Sequence, residues 1–192
     1  MRRYGLLPER LEQPDLRTYA TRSILPGAVD LRSKFPPVYD QGTIASCTAN
    51  ALVAAYAYVR PTFEGSRLFL YYNERLADGT VSYDPGSTLS QGVRVLTETG
   101  LCKERSWPYD TSRLKERPCS AAYSEATSHR ASGCHNVSPT QPDLKGCLAG
   151  GTPFVMGIMV YPSFESDSVA RTGIRARENN GFIFILFPLN VI

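Results

Sequence analysis

Histidine is scarce in this 192-residue chain: His129 and His135 are the only two. A metal cluster built on imidazoles is therefore a poor candidate for its chemistry. Cysteine is present but not in pairs. Cys47, Cys102, Cys119, Cys134 and Cys147 make an odd five, with no CxxC spacing among them. That argues against a disulfide framework and against a zinc site. An excess of one charge is also lacking. Lys and Arg total 21 against 18 Asp and Glu, and the basic residues are scattered among the acids. Nucleic-acid binders usually show a basic patch, so that class is set aside. Arg2-Arg3 is too short for a basic arm, and no apolar segment follows it as a secretory signal would require. We expect a reducing, cytoplasmic setting. The long apolar run is residues 181–187. A membrane span takes about 20 residues, so no membrane partner is expected and the run reads as a buried strand.

What is present is enough apolar material for a core. Hydrophobic residues make up 42% of the chain and aromatics 10%. The length suits one domain or two small halves sharing a cleft. Residues 1–29 read as a lead-in broken by Pro8, Pro14 and Pro26, with a short helix over residues 8–12. No chemistry is assigned to it. Asp30-Leu31-Arg32 and Pro36-Pro37 give an extended approach to the stretch Val38 to Leu52. That stretch is a turn-rich loop running into a helix. Cys47 stands at the helix start, and Gln41 precedes it by six residues. The unpaired N–H groups of a first helical turn carry partial positive charge. They favour thiolate, and the thiolate is the nucleophile.

The helix after Cys47 carries Leu52, Ala55, Tyr56 and Val59 on one face, and Pro61 ends it. Ser66 caps a second helix with Leu68, Tyr71, Tyr72 and Arg75 on one side, stopped at Asp78-Gly79. Asp84 to Ser87 is a turn, and Ser87 or Thr88 caps a third helix that ends at Gly100. Residues 107–110 form a compact aromatic turn. A weaker helix spans 119–131, and Thr140 or Asp143 caps another that Gly150-Gly151 closes. The period then changes. Residues 153–161 are apolar on both faces and read as a buried strand. Residues 163–180 read as helix or loop. Helices first and strands after suggest an α+β fold with segregated layers.

The pattern Gln41-Gly42-x-x-x-Ser46-Cys47 resembles the active-site segment of the papain family of cysteine peptidases. The stretch from Leu25-Pro26 to Val29-Asp30-Leu31-Arg32 is similar to the start of that family's mature domain. Thr48-Ala49-Asn50-Ala51 resembles a microbial and viral branch. So do Leu70 to Arg75, Gly92 to Cys102, Trp107-Pro108-Tyr109, and Leu144-Lys145 followed by Thr152-Pro153-Phe154. The resemblance covers residues 25–174. It implies a two-lobed, papain-like α+β fold, with a complete helical lobe over 25–118. A β-barrel-like lobe starts over 119–174 and stays incomplete. Residues 1–24 would be a lead-in or pro-segment, and 175–192 a divergent tail. The resemblance implies attack by Cys47 on the carbonyl of a peptide or protein substrate. Gln41 would donate to the oxyanion, and Gly86-Ser87 would pair with an extended substrate. No cofactor is implied. Ala45 stands where the family usually has Gly, close to the substrate.

The family also needs a histidine base in a Gly-His-Ala/Val-like strand, and an asparagine before Ser-Trp-Gly to orient it. Neither motif occurs in the chain. The match stops near Thr172-Gly173-Ile174, so the chain reads as truncated at its C-terminus and impaired as an enzyme. The alternative is a catalytically silent module that binds peptide or protein. His129 falls where the family often has a non-catalytic histidine, and His135 lies at the lobe crossover. Both are read as structural or surface residues. With only two strands in hand, residues 153–161 would keep an unpaired edge and an exposed apolar face.

Overall fold

The computed structural model describes residues 4–8, 16–17, 25–158, 160–161, 164, 166–172, 183–186 and 189–191; for 16–17, 183–186 and 189–191 it describes the backbone. Helix α1 (Cys47–Val59) runs through the middle of the core, with Ala49, Leu52, Val53 and Tyr56 at most 1% exposed. The expected face holds through Leu52, Ala55 and Tyr56, but Val59 is 39% exposed. It is the last helical residue, where the chain turns outward at the Arg60 cap.

Helix α2 (Arg67–Ala77) begins where a serine can cap it. Ser66 Oγ accepts the Phe69 N–H at 3.0 Å and donates to the Trp107 carbonyl at 2.5 Å. The same hydroxyl therefore starts the helix and fixes the aromatic turn. Leu68, Tyr71, Tyr72 and Arg75 face inward, as their spacing predicts. Arg75 is fully buried, yet its guanidinium donates to the carbonyls of Val81, Tyr83 and Leu114 and lies over the Tyr71 ring. Those bonds compensate a charge that burial alone would make costly. Helix α3 (Leu89–Glu98) is capped by Thr88, which accepts the Gln91 N–H at 3.1 Å. Gly92 on α3 lies against Leu52 of α1 and Glu74 of α2, and a side chain there would overlap Leu52. That glycine lets the three helices meet.

Helix α4 (Ser120–Ala126) is shorter than the 119–131 expected. The chain turns over 127–129, where the His129 carbonyl accepts the Leu101 N–H at 3.1 Å. Ala131 then enters the core as the first residue of a strand. Six strands occur among the described residues, in three two-stranded sheets. β1 (Leu16–Arg17) pairs in parallel with β3 (Asn136–Val137). β2 (Ala131–Cys134) pairs antiparallel with β6 (Leu189–Val191), with a register shift between Ala131 and Gly133. β4 (Val155–Ile158) pairs antiparallel with β5 (Ile183–Leu186). Helix α5 (Gln141–Ala149) is capped by Thr140, and α6 spans Asp167–Thr172.

The strand region corrects two expectations. The 153–161 run is a four-residue strand buried on one face only. Val155 and Gly157 point inward, while Met156 and Ile158 are 41% and 37% exposed. Residues 183–186 and 189–191 supply β5 and β6, so one edge of β4, expected to be bare, is paired. The architecture is α+β, with a helical lobe and a second lobe whose strands close no barrel among the described residues. Pro8 is not helical, and the rest of the short helix expected there lies outside the described residues. No described helix is long and apolar enough to cross a membrane.

Leu68 is fully buried on α2 and Leu76 on the same helix is 48% exposed. Leu68→Ala should lower the unfolding free energy by about 2–5 kcal/mol. Leu76→Ala should change it by less than about 0.5 kcal/mol. Urea denaturation of the two variants checks the difference.

Candidate active site

The loop over residues 40–46 is held from several sides before it becomes α1. Asp40 Oδ1 accepts the Gly42 N–H at 2.9 Å, and Gly42 takes φ +65°, a turn that suits glycine. The Gln41 side-chain amide folds back along the loop and donates to the Ile44 carbonyl at 3.0 Å. Tyr109 Oη donates to the Gln41 carbonyl at 2.9 Å and lies 2.6 Å from Ser46 Oγ. Asn50 Nδ2 donates to the Ser46 carbonyl at 2.8 Å. The Ala45 N–H donates to the Asp84 carboxylate, at 3.0 and 3.2 Å to its two oxygens.

Asp84 reaches across to the other side of the site as well. The Tyr71 hydroxyl donates to it at 2.5 Å and accepts the Gly86 N–H at 3.1 Å. One carboxylate thus links the loop that leads to Cys47 with the Gly86-Ser87 turn. Together they bring near one cleft the residues that the sequence singles out: Gln41 and Cys47 on one side, Gly86 and Ser87 on the other.

Cys47 is half-buried at the first position of α1. The sequence reading expects its thiol to favour ionisation. The structure corrects this: burial pushes the thiol up from its ordinary value. The N–H groups of Gly5 and of the helix start oppose the shift, and the nearby Glu74 adds to it. Desolvation outweighs the helix terminus here. Glu74 itself lies fully buried on α2, and its Oε2 accepts from Thr48 Oγ1 at 2.7 Å. Burial pushes its carboxyl up to about 8; the Thr48 bond and Arg75 oppose that, and Asp78 reinforces it.

A cavity of about 190 Å³ opens beside Cys47, with Thr48, Ala51, Leu89, Val155 and Gly157 in its lining. Tyr4 and Leu6 border it too. The sequence reading gives the lead-in no chemistry, yet residues 4–8 lie in this cleft. The Ser87 N–H donates to the Gly5 carbonyl at 2.9 Å, and the Leu7 N–H donates to the Ser87 carbonyl at 2.9 Å. Leu6 and Ser87 form a parallel bridge. The Gly5 N–H reaches the Cys47 sulfur. The only local signal was a glycine between apolar residues, ended by Pro8, which fits any extended segment.

Neither histidine is among the described residues that line the Cys47 cavity. His129 packs on the Phe63 ring with centroids 4.3 Å apart, near Tyr56 and Arg60. Tyr56 is nine residues along α1 from Cys47, about 13 Å at 1.5 Å per residue. Burial lowers the His129 pKa, aided by Lys103. His135 sits between β2 and β3. Cys102 and Cys147 are buried, Cys134 is half-buried and Cys119 is exposed; none forms a disulfide.

Comparison with known proteins gives the site its context. No family model matches the chain. In an alignment of 149 positions that covers 70% of this chain, it is 36% identical to a peptidase C1-like protein of Acanthamoeba polyphaga mimivirus. It spans 48% of that relative. Among solved structures it is similar to xylellain, a cysteine protease from Xylella fastidiosa. The identity is 34% and the TM-score 0.77, over 100% of this chain and 79% of that one. The chain belongs to the papain-like cysteine peptidase family. It shares the family fold with digestive procathepsin L 3 of Tenebrio molitor larval midgut, at 19% identity and TM-score 0.63 over 80% of this chain and 51% of that one. In this papain-like chain the helical lobe carries the cysteine, and β4 of the second lobe forms part of the cavity wall.

The Glu74 carboxyl gives a pH test. Its folded value, about 8, lies above the ordinary 4.5, so the folded state holds the proton more tightly than the unfolded chain. Stability from this group is present below the lower value and is lost as pH rises towards the upper one. Unfolding free energy should therefore fall between about pH 4.5 and pH 8. Glu74→Gln should flatten that slope in urea titrations across the range.

Proposed function

We propose that Cys47 is the nucleophile of a cysteine-type peptidase site that acts on peptide or protein substrates. The carrying observation is the pairing of an extended segment, residues 4–8, with the Ser87 backbone, alongside the sulfur of Cys47. A peptide placed this way runs beside the thiol, as the chain's own segment does through the contact of the Gly5 N–H with the sulfur. Gln41 is the proposed oxyanion donor, together with the Cys47 N–H. Its amide is already turned back along the loop towards the helix start, by its bond to Ile44. Gly86-Ser87 is the proposed substrate-pairing edge. Residues 1–24 act as a pro-segment whose first part fills the cleft. Five cysteines outside any disulfide suit a reducing, cytoplasmic setting.

We infer also that turnover is impaired in the chain as written. No histidine lines the described cavity, and the family's histidine and asparagine motifs are missing from the sequence. Loss of a general base typically costs about 10²–10⁴-fold, and catalytic groups act as a unit. The same observation favours a second reading, a silent module that holds peptides in the cleft. Treatment with an epoxide-bearing peptide, at concentrations that displace residues 4–8 from the cleft, separates the proposals. The nucleophile reading expects modification of Cys47 ahead of the other four thiols, none in Cys47→Ser, and slow hydrolysis of a peptide substrate that Cys47→Ser abolishes. Peptide binding with modification spread over all five cysteines, and no hydrolysis, would favour the silent module.

A further inference from the structure

The cleft is tightest at Gly5. A methyl group placed on that residue would overlap the Ala45 carbonyl oxygen, and would lie 2.5 Å from Ala45 Cβ and 2.6 Å from its carbonyl carbon. Real Cβ atoms essentially never sit so close, so a side chain needs the wall to move. The opposite wall is equally close. A methyl group on Gly86 would overlap the Gly5 carbonyl oxygen and lie 2.6 Å from Gly5 Cα. Neither wall is the tip of a flexible side chain. Ala45 is 3% exposed, its N–H is held by Asp84, and the carbonyl before it is held by Gln41. Gly86 is held by Tyr71, which is bound to the same Asp84. The neighbouring positions differ. Leu6 borders an apolar cavity, and Leu7 is 37% exposed.

We propose that the subsite beside Cys47 is selective for glycine, with the Ala45 carbonyl group as the wall that sets this preference and the Ala45 methyl narrowing it further. The peptides that fit have a glycine followed by an apolar residue, as Gly5-Leu6 does. The selectivity rests on the reading of this groove as a peptide cleft. Asp84 is a positioning residue in it: it acts through the Ala45 N–H and Tyr71, and needs no contact with the bound peptide.

The test reads occupancy of the cleft and needs no turnover, so a chain that hydrolyses nothing still answers it. The full chain is treated with iodoacetamide, and the rate of Cys47 modification is followed by mass spectrometry. Gly5→Ala should raise that rate by about tenfold or more, because the added methyl forces residues 4–8 out of the cleft. Leu7→Ala should stay within about twofold of the wild type. The pentapeptide Tyr-Gly-Leu-Leu-Pro, added to the Gly5→Ala chain, should slow modification, and Tyr-Ala-Leu-Leu-Pro at equal concentration should not. Gly5→Ala at the wild-type rate, or Leu7→Ala as fast as Gly5→Ala, would overturn the proposal. Equal protection by the two pentapeptides would also overturn it. Gly5 lies outside the helical core, and thermal melts of both variants show whether the fold is retained.

Discussion

The Asp84 carboxylate is the constraint on which the site depends. It accepts the N–H of Ala45 on one wall and the hydroxyl of Tyr71, which in turn binds Gly86 on the other. The two walls come from loops 39 residues apart in sequence. Hydrogen bonds to one carboxylate have preferred lengths and directions. Here they set a distance rather than merely add stability. That distance is the width of the groove in which Gly5 lies.

A second balance acts on the thiol. The start of α1 favours the anion, and burial opposes it. With residues 4–8 in place burial wins, and Cys47 is held towards its neutral form. The buried Glu74 beneath Thr48 contributes in the same direction when it is charged. The cleft in this state is therefore closed in two senses: the sulfur is covered, and its ionisation is disfavoured. Removal of the segment would expose the thiol to water and would also take away the Gly5 N–H that favours its anion. Occupancy and reactivity are coupled through one side chain.

Much of the helical lobe was legible in the sequence, because its determinants are local. Ser66, Thr88 and Thr140 cap helices with the bonds their positions predict. The motif around Cys47 marked both the family and the helix start. The rest depended on long-range pairing. Nothing local says that residues 183–186 lie beside 155–158, or that 189–191 lie beside 131–134. Short apolar strands accept many partners until the tertiary context chooses one. The α4 boundary was missed for a similar reason: small polar residues continue a helical pattern on paper, while the His129 carbonyl is drawn to Leu101 instead. The placement of residues 4–8 was the least legible feature of all. Its backbone, not its side chains, makes the bonds to Ser87, and backbone pairing leaves no mark in residue type beyond the need for Gly5.

The central claim is that the groove beside Cys47 binds an extended peptide backbone, filled in this state by the chain's own residues 4–8. Residue-resolved amide hydrogen exchange on the full chain tests it most directly, at Leu7 and Ser87, whose N–H groups make the pairing bonds. The account predicts that both are protected, and lose protection together when the segment is displaced. Rapid exchange at both, with α1 protected throughout, would contradict it.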